Sequence, residues 1–266
     1  MEIQDKVAYI IAVVSEFADA HGLKTNQAFR YLFRFDGIGF VDRHYEVEHT
    51  LPFDDVINDL TANTKEDMDV LIKNARDMGA LISVNHPKCR ICPYLWGDDE
   101  AFDLMEIWNG PMRPTNTDGI AYWTSLLKKG RKIPIVGGSD YHSPKGVARI
   151  GEPVTAVYAA SPSAEDILTA VKNGRAYVAA KKNAPRLDLR YGTSRMGDTA
   201  VFDEKTPLCV TAEGKGEFDL ILVTDSGERQ IFPGNILLGK TKFAYVMLKK
   251  LITGRVIAVS NPIYFE

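Results

Sequence analysis

One segment sets the interpretation of the whole chain: Ile133-Pro-Ile-Val-Gly-Gly-Ser-Asp-Tyr-His142. A β-branched apolar run bounded by glycine is typical of a buried strand, so Asp140 and His142 stand at the carboxyl end of that strand. In parallel α/β folds this is where catalytic groups usually lie. Side chains two residues apart on a strand point the same way, so we expect the carboxylate and the imidazole to converge on one point.

An aspartate and a histidine at one strand end supply a hard oxygen donor and a borderline nitrogen donor, a combination that suits Zn, Mn or Fe. The same pair is also typical of an aspartate that caps the following turn beside a surface histidine. A second segment, Leu81-Ile-Ser-Val-Asn-His-Pro87, repeats the pattern of an apolar strand followed by a histidine, His86. This repetition favours the metal-site interpretation.

A further candidate ligand, Glu106, lies in the apolar segment Leu104-Met-Glu-Ile-Trp-Asn109 between the two histidine-bearing strands. The carboxyl ends of parallel strands lie on one rim, so we expect His86, Glu106, Asp140 and His142 to come within metal-bonding distance, about 2.0 to 2.2 Å for nitrogen and oxygen ligands. A divalent ion there would lower the pKa of a bound water and polarise a phosphoryl or carbonyl oxygen, which makes Asp140 and His142 the candidate catalytic residues. Glu106 is equally typical of a carboxylate that hydrogen-bonds a helix N-terminus.

Basic residues near the same segment are candidate contacts for an anionic substrate. Lys145 and Arg149 follow His142, and Arg175 follows the next predicted helix. Each can meet a substrate phosphate as a point charge or as a bidentate fork, and solvated basic side chains on a loop are the alternative. The substrate expected on this basis is a phosphorylated small molecule.

Composition argues against several classes of function. The 266-residue chain carries a net charge of −3 with a pI near 6.0, which gives no electrostatic reason to expect nucleic acid or an anionic membrane as partner. The apolar run near the start is interrupted by Ser15 and Glu16, so it predicts neither a signal peptide nor a membrane span. Three cysteines do not make a disulfide scaffold, so we expect a cytoplasmic protein. The single Cys-x-x-Cys, Cys89 and Cys92, indicates either part of a metal or redox site or loop packing.

Hydrophobic periodicity divides the chain into three regions. Helical spacing predicts a compact helical module at residues 1–63, with its first helix over residues 3–20 and a later helix over residues 53–60. Strands and helices alternate over residues 64–182, which predicts a mainly parallel sheet. Residues 183–266 offer short alternating runs separated by turn residues, which predicts an antiparallel β-sandwich.

Several short motifs together resemble one known family: Asn85-His-Pro87, Cys89-x-x-Cys-Pro-Tyr-x-Trp96, Glu106-Ile-Trp-Asn-Gly110, Gly137-Gly-Ser-Asp-x-His142, Gly151-Glu-Pro-Val-Thr155 and Ser260-Asn-Pro-Ile-Tyr264. Over about residues 66 to 266 the chain is similar to CehA/McbA-type metallohydrolases of the PHP superfamily. The resemblance implies a β/α barrel with a phosphoesterase-type site of two or three metal ions, followed by a β-rich domain. On this resemblance His86, Asp140 and His142 would be metal ligands.

The chain departs from that family in its first half. The family begins with a His-x-His strand, a Thr-Asp-His turn and a further carboxylate, whereas the five histidines here, at 21, 44, 49, 86 and 142, include no His-x-His. The fold class expected is therefore α/β, a partial PHP-type β/α barrel between an N-terminal helical module and a C-terminal antiparallel β-sandwich. Its site would hold fewer divalent ions than the family's full cluster. The strand edges of a partial barrel would be covered by the helical module or by a second chain in a homodimer.

The helical module resembles a different family. Tyr45-Glu-Val-Glu-His-Thr50 followed by Asp54-Asp-Val-Ile-Asn-Asp-Leu60 is similar, over about residues 3 to 62, to a short bacterial helical family known only as a domain of unknown function. This resemblance implies partner binding and no catalytic residues. For the module's own polar residues, a surface or core-edge role is favoured over a metal cluster, because they lack a regular ligand spacing: His44, Glu46, Glu48 and His49.

Two functions are therefore expected as alternatives. The first is a metal-dependent phosphoester hydrolase with an incomplete ligand set, and the second is a non-catalytic partner-binding protein on a degenerate PHP scaffold. A fusion of two unrelated fragments is a third interpretation of the missing first half.

Overall fold

A computed structural model describes residues 3–34, 36–61, 65–89 and 102–266. The chain divides into two compact units, Met1–Ala80 and Leu81–Glu266. The first is helical and the second contains the strands, which confirms the prediction of an N-terminal helical region followed by a β-rich region. The boundary between the units follows residue 80, whereas periodicity placed it at residue 63.

Short amphipathic helices build the first unit. In the described residues they are α1 (Ile3–Ala20), α2 (Thr25–Arg34), α3 (Gly37–Arg43), α4 (Tyr45–Glu48), α5 (Phe53–Thr61) and α6 (Lys65–Asp77). The helices predicted over residues 3–20 and 53–60 are thereby confirmed. The buried core of this unit includes one or more side chains from each of α1, α2, α3 and α5: Val14, Phe17, Leu32, Val41, Val56 and Leu60.

The two halves of α1 differ in burial. The buried side chains of α1 all lie between residues 13 and 18, whereas Ile3, Val7 and Ile11 in the first half are 82%, 49% and 61% exposed. Apolar spacing identifies a helix face, but it does not indicate how far along the helix that face is covered. Residues four apart share one face, so these three side chains form an exposed apolar row, called here the α1 stripe.

The second unit contains two further helices and the strands. They are α7 (Pro114–Lys128), α8 (Ala164–Lys172), β1 (Ser83–Val84), β2 (Leu104–Asn109), β3 (Ile135–Gly138), β4 (Val154–Val157), β5 (Ala176–Ala179), β6 (Arg186–Tyr191), β7 (Ser194–Arg195), β8 (Thr199–Ala200), β9 (Leu208–Glu213), β10 (Phe218–Thr224), β11 (Gly227–Ile231), β12 (Gly234–Ile236), β13 (Phe243–Lys250), β14 (Val256–Ser260) and β15 (Ile263–Phe265), all within the described residues.

In the described residues β1, β2 and β3 form one sheet, the parallel sheet. Ser83 pairs with Leu104 and Met105 pairs with Ile135, and both pairings are parallel. Helix α7 connects β2 to β3 and packs on β2, with the buried Trp123 donating its indole N–H to Ile133 O at 2.8 Å. The carboxyl ends of the three strands therefore lie at one edge of the sheet.

The other strands of the described chain form two more sheets that face each other. The large sheet has the order β11-β10-β13-β14-β5-β4, with β15 and β8 attached through β13, and the small sheet has the order β12-β9-β6-β7. Leu189 and Val210 of the small sheet share one core with Leu222 and Val246 of the large sheet. This confirms the predicted sandwich-like arrangement of sheets.

Strand β13 is buried on both faces. Successive side chains of a strand point to opposite sides, so Val246 and Leu248 pack in the core between the two sheets while Tyr245 and Met247 pack against the layer that contains Trp123. Such double burial explains why the strand is a continuous apolar run rather than an alternating one. The large sheet is thus the middle layer of the second unit.

Two strands predicted for the parallel sheet lie elsewhere. β4 and β5 pair antiparallel with each other, and β5 pairs antiparallel with β14, so both belong to the large sheet. Their prediction as parallel strands is wrong, because α8 connects two adjacent antiparallel strands instead of carrying the chain across a sheet. The large sheet also spans the predicted boundary between residues 182 and 183. The partial PHP-type barrel stays a prediction.

The outer edge of β3 is covered by two side chains from outside the parallel sheet. Asn261 accepts from the Ile135 N–H through Oδ1 at 2.8 Å and donates through Nδ2 to Ile135 O at 3.3 Å. Thr155 Oγ1 accepts from the Gly137 N–H at 2.9 Å and donates to Gly137 O at 2.8 Å. An unpaired edge strand tends to pair with another chain. A second chain was one predicted partner for such an edge, and here side chains of the same chain form the hydrogen bonds.

Candidate functional site

The residues that the sequence predicted as a site lie in the strands of the parallel sheet or shortly after them. His86 follows β1, Glu106 lies in β2, and Asp140 and His142 follow β3. His86 and Asp140 both have left-handed backbone conformations, with φ of 32° and 50°. Such a conformation costs a residue other than glycine about 1–2 kcal/mol, and residues held in this way cluster at functional sites.

Glu106 is buried, with only 8% of its surface exposed. Its Oε2 accepts hydrogen bonds from the His86 N–H at 3.1 Å and from Asn109 Nδ2 at 3.2 Å. Burial raises the pKa of Glu106 to about 7, the hydrogen bonds from Asn109 and His86 act to lower it, and the charge of Asp140 raises it again. Its carboxylate therefore holds the turn after β1 rather than a helix N-terminus.

Gly138 provides the space that this carboxylate occupies. A Cβ atom at Gly138 would lie 3.2 Å from Glu106 Oε1, and one at Gly110 would lie 3.5 Å from Ser139 O. The glycines of the two motifs thus allow β2 and β3 to bring polar groups close together at their carboxyl ends.

Asp140 and His142 form a pair, although both follow the end of β3 at Gly138 and so do not meet through strand alternation. His142 Nε2 lies 3.0 Å from Asp140 Oδ1, and both side chains are about half exposed, at 49% and 46%. This separation is that of a hydrogen bond between the two side chains. What suits a divalent ion is their chemistry, a carboxylate oxygen beside an imidazole nitrogen.

A larger donor cluster is not formed by the residues that the structure describes. Within residues 3–34, 36–61, 65–89 and 102–266, no group of three or more His, Cys, Asp or Glu side chains is placed to hold a metal ion. The described site is thus a two-donor pair, with the buried Glu106 nearby. Cys92 and Trp96 lie outside the described residues, so the role of the Cys-x-x-Cys pair stays a prediction.

A small cavity of about 180 Å³ opens beside the pair, and its lining includes Asn109, Arg113, Asp140 and His142. Its volume is below that of a typical drug-sized pocket, so it suits a small group rather than a whole nucleotide. Arg113 was missed by the sequence reasoning, which examined residues that follow strands. Arg113 immediately precedes α7, and its signal was the adjacent Pro114 at the first helical position.

The predicted substrate-binding residues lie in different places. Lys145 and Arg149 are exposed on the loop after His142, and small residues of that loop line the cavity. Arg175 donates to Met196 O and, at 2.5 Å, to Asp198 Oδ1. The interpretation of Arg175 as a phosphate contact is therefore wrong, because its guanidinium is committed to a structural ion pair.

The polar residues of the helical unit range from exposed to buried, whereas a surface or core-edge role was predicted for all four. Glu48 is 4% exposed, and in the described structure its Oε2 has no hydrogen-bond partner. Burial raises the pKa of Glu48 to about 7, and the charge of Asp59 adds to that effect. His49 stacks on Tyr45 with ring centroids 4.6 Å apart, while Glu46 is exposed.

Fold and site together define a protein in which a helical unit precedes an α/β unit with a β-sandwich and an Asp–His pair at the end of a parallel sheet. A family described as a protein of unknown function (DUF3791) matches residues 8–67. This match overlaps the segment that the sequence likened to a short bacterial helical family. No curated protein and no solved structure matches the chain. Within the described residues, no helix combines the length and apolar character required to cross a membrane.

Proposed function

We propose that the chain is a PHP-like metal-dependent hydrolase of phosphoester type with an incomplete ligand set. Asp140 and His142, with His86 from the end of β1, would hold a divalent ion such as Zn, Mn or Fe. The observation that carries this proposal is the 3.0 Å pairing of Asp140 with His142 at the carboxyl edge of the parallel sheet. Three of the motifs that resemble CehA/McbA-type metallohydrolases lie at this edge and support the same activity: Asn85-His-Pro87, Glu106-Ile-Trp-Asn-Gly110 and Gly137-Gly-Ser-Asp-x-His142.

A bound divalent ion supplies Lewis-acid polarisation of a phosphoryl oxygen. The chain's own groups bind and orient the substrate. Arg113 at the wall of the cavity offers a guanidinium for a phosphate group. The Asp140 carboxylate orients the His142 ring through its contact with Nε2, so Nδ1 of that ring would be the nitrogen that binds an ion. Lys145 and Arg149 on the exposed loop attract an anion toward the opening.

Metal binding and turnover test this proposal. Calorimetric titration of the full chain with Zn²⁺ and with Mn²⁺ should show binding that Asp140→Ala abolishes. Hydrolysis of bis(4-nitrophenyl) phosphate should fall about 100-fold or more in the same variant. Asp118→Ala is the matched control, because Asp118 is an exposed carboxylate on α7 outside the site. If Asp140→Ala retains both metal binding and turnover, the hydrolase proposal is contradicted.

A second candidate function, non-catalytic partner binding, is favoured by exposed apolar groups of the helical unit. In addition to the α1 stripe, the unit exposes Phe29 and Phe33 of α2, which are 49% and 71% exposed and whose rings stack 6.1 Å apart. Contiguous exposed apolar surface is typical of protein interaction sites. On this alternative, the helical unit recognises a partner and the second unit is a scaffold.

A matched pair of variants tests the second candidate. Ile11→Glu places a charge in the α1 stripe and should abolish capture of a partner by the immobilised full chain. Ile252→Glu, at a position 86% exposed in the second unit, should leave capture unchanged. Equal capture by both variants, combined with Asp140-dependent hydrolysis, would exclude partner binding through the α1 stripe.

A further inference from the structure

A chain of hydrogen bonds runs from helix α7 to the turn that carries His86. Asn116 of α7 is buried; its Oδ1 accepts from the Asn109 N–H at 3.2 Å and its Nδ2 donates to Asn109 O at 3.0 Å. Asn109 in turn donates through Nδ2 to both oxygens of Glu106, at 3.4 Å and 3.2 Å. Glu106 Oε2 then accepts the His86 N–H at 3.1 Å. Each step fixes the donor or acceptor of the next.

The last member of this chain is held in an unfavourable conformation. His86 has a φ of 32° and is followed by Pro87, and a proline further restricts the backbone of the residue before it. A residue of this kind needs an external partner to stay in place. The carboxylate of Glu106 is such a partner, because it reaches across from the neighbouring strand and is itself fixed by Asn109.

We propose that Glu106 is a positioning residue, which holds the His86 turn through the backbone N–H and thereby sets the direction of the His86 imidazole, and that it does not itself bind the ion. The metal-binding part of this inference rests on the proposed function, whereas the backbone part does not. A ligand role requires the negative charge of Glu106. A positioning role requires only an acceptor at Oε2, which the carbonyl of glutamine also supplies.

The test compares Glu106→Ala with Glu106→Gln in the full chain. Hydrogen exchange of the His86 amide, followed by NMR, should become about tenfold faster in Glu106→Ala and stay within about threefold of wild type in Glu106→Gln. Asp103→Asn is the matched control: Asp103 Oδ2 accepts from the Ile82 N–H at 2.9 Å, near the opposite end of β1. That variant should leave the His86 amide unchanged.

Titration of the same variants with Mn²⁺ gives the second readout. Affinity should fall about 10-fold to 100-fold in Glu106→Ala, the effect usual for a group that orients a ligand, and should be retained in Glu106→Gln. Equal loss in both variants would overturn the positioning role, as would unchanged exchange of the His86 amide in Glu106→Ala. If wild type binds no metal while the exchange pattern holds, the proposed hydrolase function fails and the backbone role of Glu106 stands.

Discussion

Asn261 joins the parallel sheet to the large sheet through one buried amide. Its side chain is fully buried and makes three hydrogen bonds, two with Ile135 of β3 and one, at 2.9 Å, from Nδ2 to Ala176 O of β5. In the sequence, the motif Ser260-Asn-Pro-Ile-Tyr264 was notable only as part of a family resemblance. In the structure its asparagine takes the place of a strand along the edge of β3.

Replacement of Asn261 should therefore destabilise the second unit. Asn261→Ala removes the side-chain partner of both the N–H and the carbonyl of the buried Ile135, and each unsatisfied group costs about 1–3 kcal/mol, so we expect the free energy of unfolding to fall by about 3 kcal/mol. Chemical denaturation measures the change. Asn235→Ala, at an exposed position of β12, should change stability by less than about 0.5 kcal/mol, and a similarly small effect at Asn261 would refute the role.

At the same scale, the sequence predicted some members of the site and missed others. His86, Asp140 and His142 follow apolar strands, so their positions could be inferred from local pattern alone. The bond between Glu106 and the His86 N–H joins residues 20 apart, and it depends on the register between two strands, which local pattern does not specify. Arg113 was missed for a related reason, since its place at the cavity depends on how α7 begins.

Among the elements, β3 is closely approached by strands on both sides. A Cβ atom at Gly137 would lie 2.5 Å from Val178 Cγ1 and 3.0 Å from Trp108 O. Gly137 therefore permits β3 to approach both β2 and β5. The two glycines at the end of the strand allow close packing, whereas in the sequence they indicated only where the strand ends.

Gly137→Ala should destabilise the protein by about 1–3 kcal/mol, the usual cost of overpacking a core. Val178→Ala removes the closer of the two contacts, so the double variant should lose less stability than the sum of the single variants. Equilibrium unfolding of the four proteins in this cycle gives the coupling. Gly239→Ala is the control, because a Cβ there meets no atom within 4 Å. If the stability losses of Gly137→Ala and Val178→Ala are strictly additive, the contact between the two residues is contradicted.

Helices and strands themselves were largely predictable, but their pairing was not. The alternation of strands and helices over residues 64–182 is compatible with two arrangements: a parallel sheet, and antiparallel neighbouring strands that are linked through a helix. β4 and β5 follow the second arrangement, with Thr155 paired to Val178. Strand β14, which pairs with β5, lies about eighty residues further along the chain, so no local pattern could have revealed the sheet to which β4 and β5 belong.

For the whole molecule, the change of hydrophobic period along the sequence distinguished helices from strands, but it did not locate the boundary between the two units. Helix α6 shows the same helical spacing as the helices before it, so residues 65–77 fall in the first unit although the sequence placed them in the α/β region. The continuous large sheet likewise joins the regions that periodicity separated at residue 182. Long-range pairing, and not local period, defines the units.

The helical unit should lose stability as the pH rises. Burial raises the pKa of Glu48 from 4.5 to about 7, so the folded state binds this proton more tightly than the unfolded state does. The stabilising contribution is complete below the unfolded pKa and is lost as the pH rises through the folded pKa. We expect about 2 kcal/mol less stability at about pH 8 than at about pH 5, measured by urea unfolding of the full chain with helix content followed by circular dichroism.

Two glutamine substitutions on α4 separate this effect from general titration. Glu48→Gln carries no charge at either pH, so the difference between the two pH values should largely disappear, and the variant should exceed wild type in stability at the higher pH. Glu46→Gln changes an exposed carboxylate on the same helix and should keep the wild-type dependence. If Glu48→Gln keeps that dependence too, the buried carboxyl of Glu48 is not its source, and Asp59, whose pKa burial also raises, becomes the group to replace next.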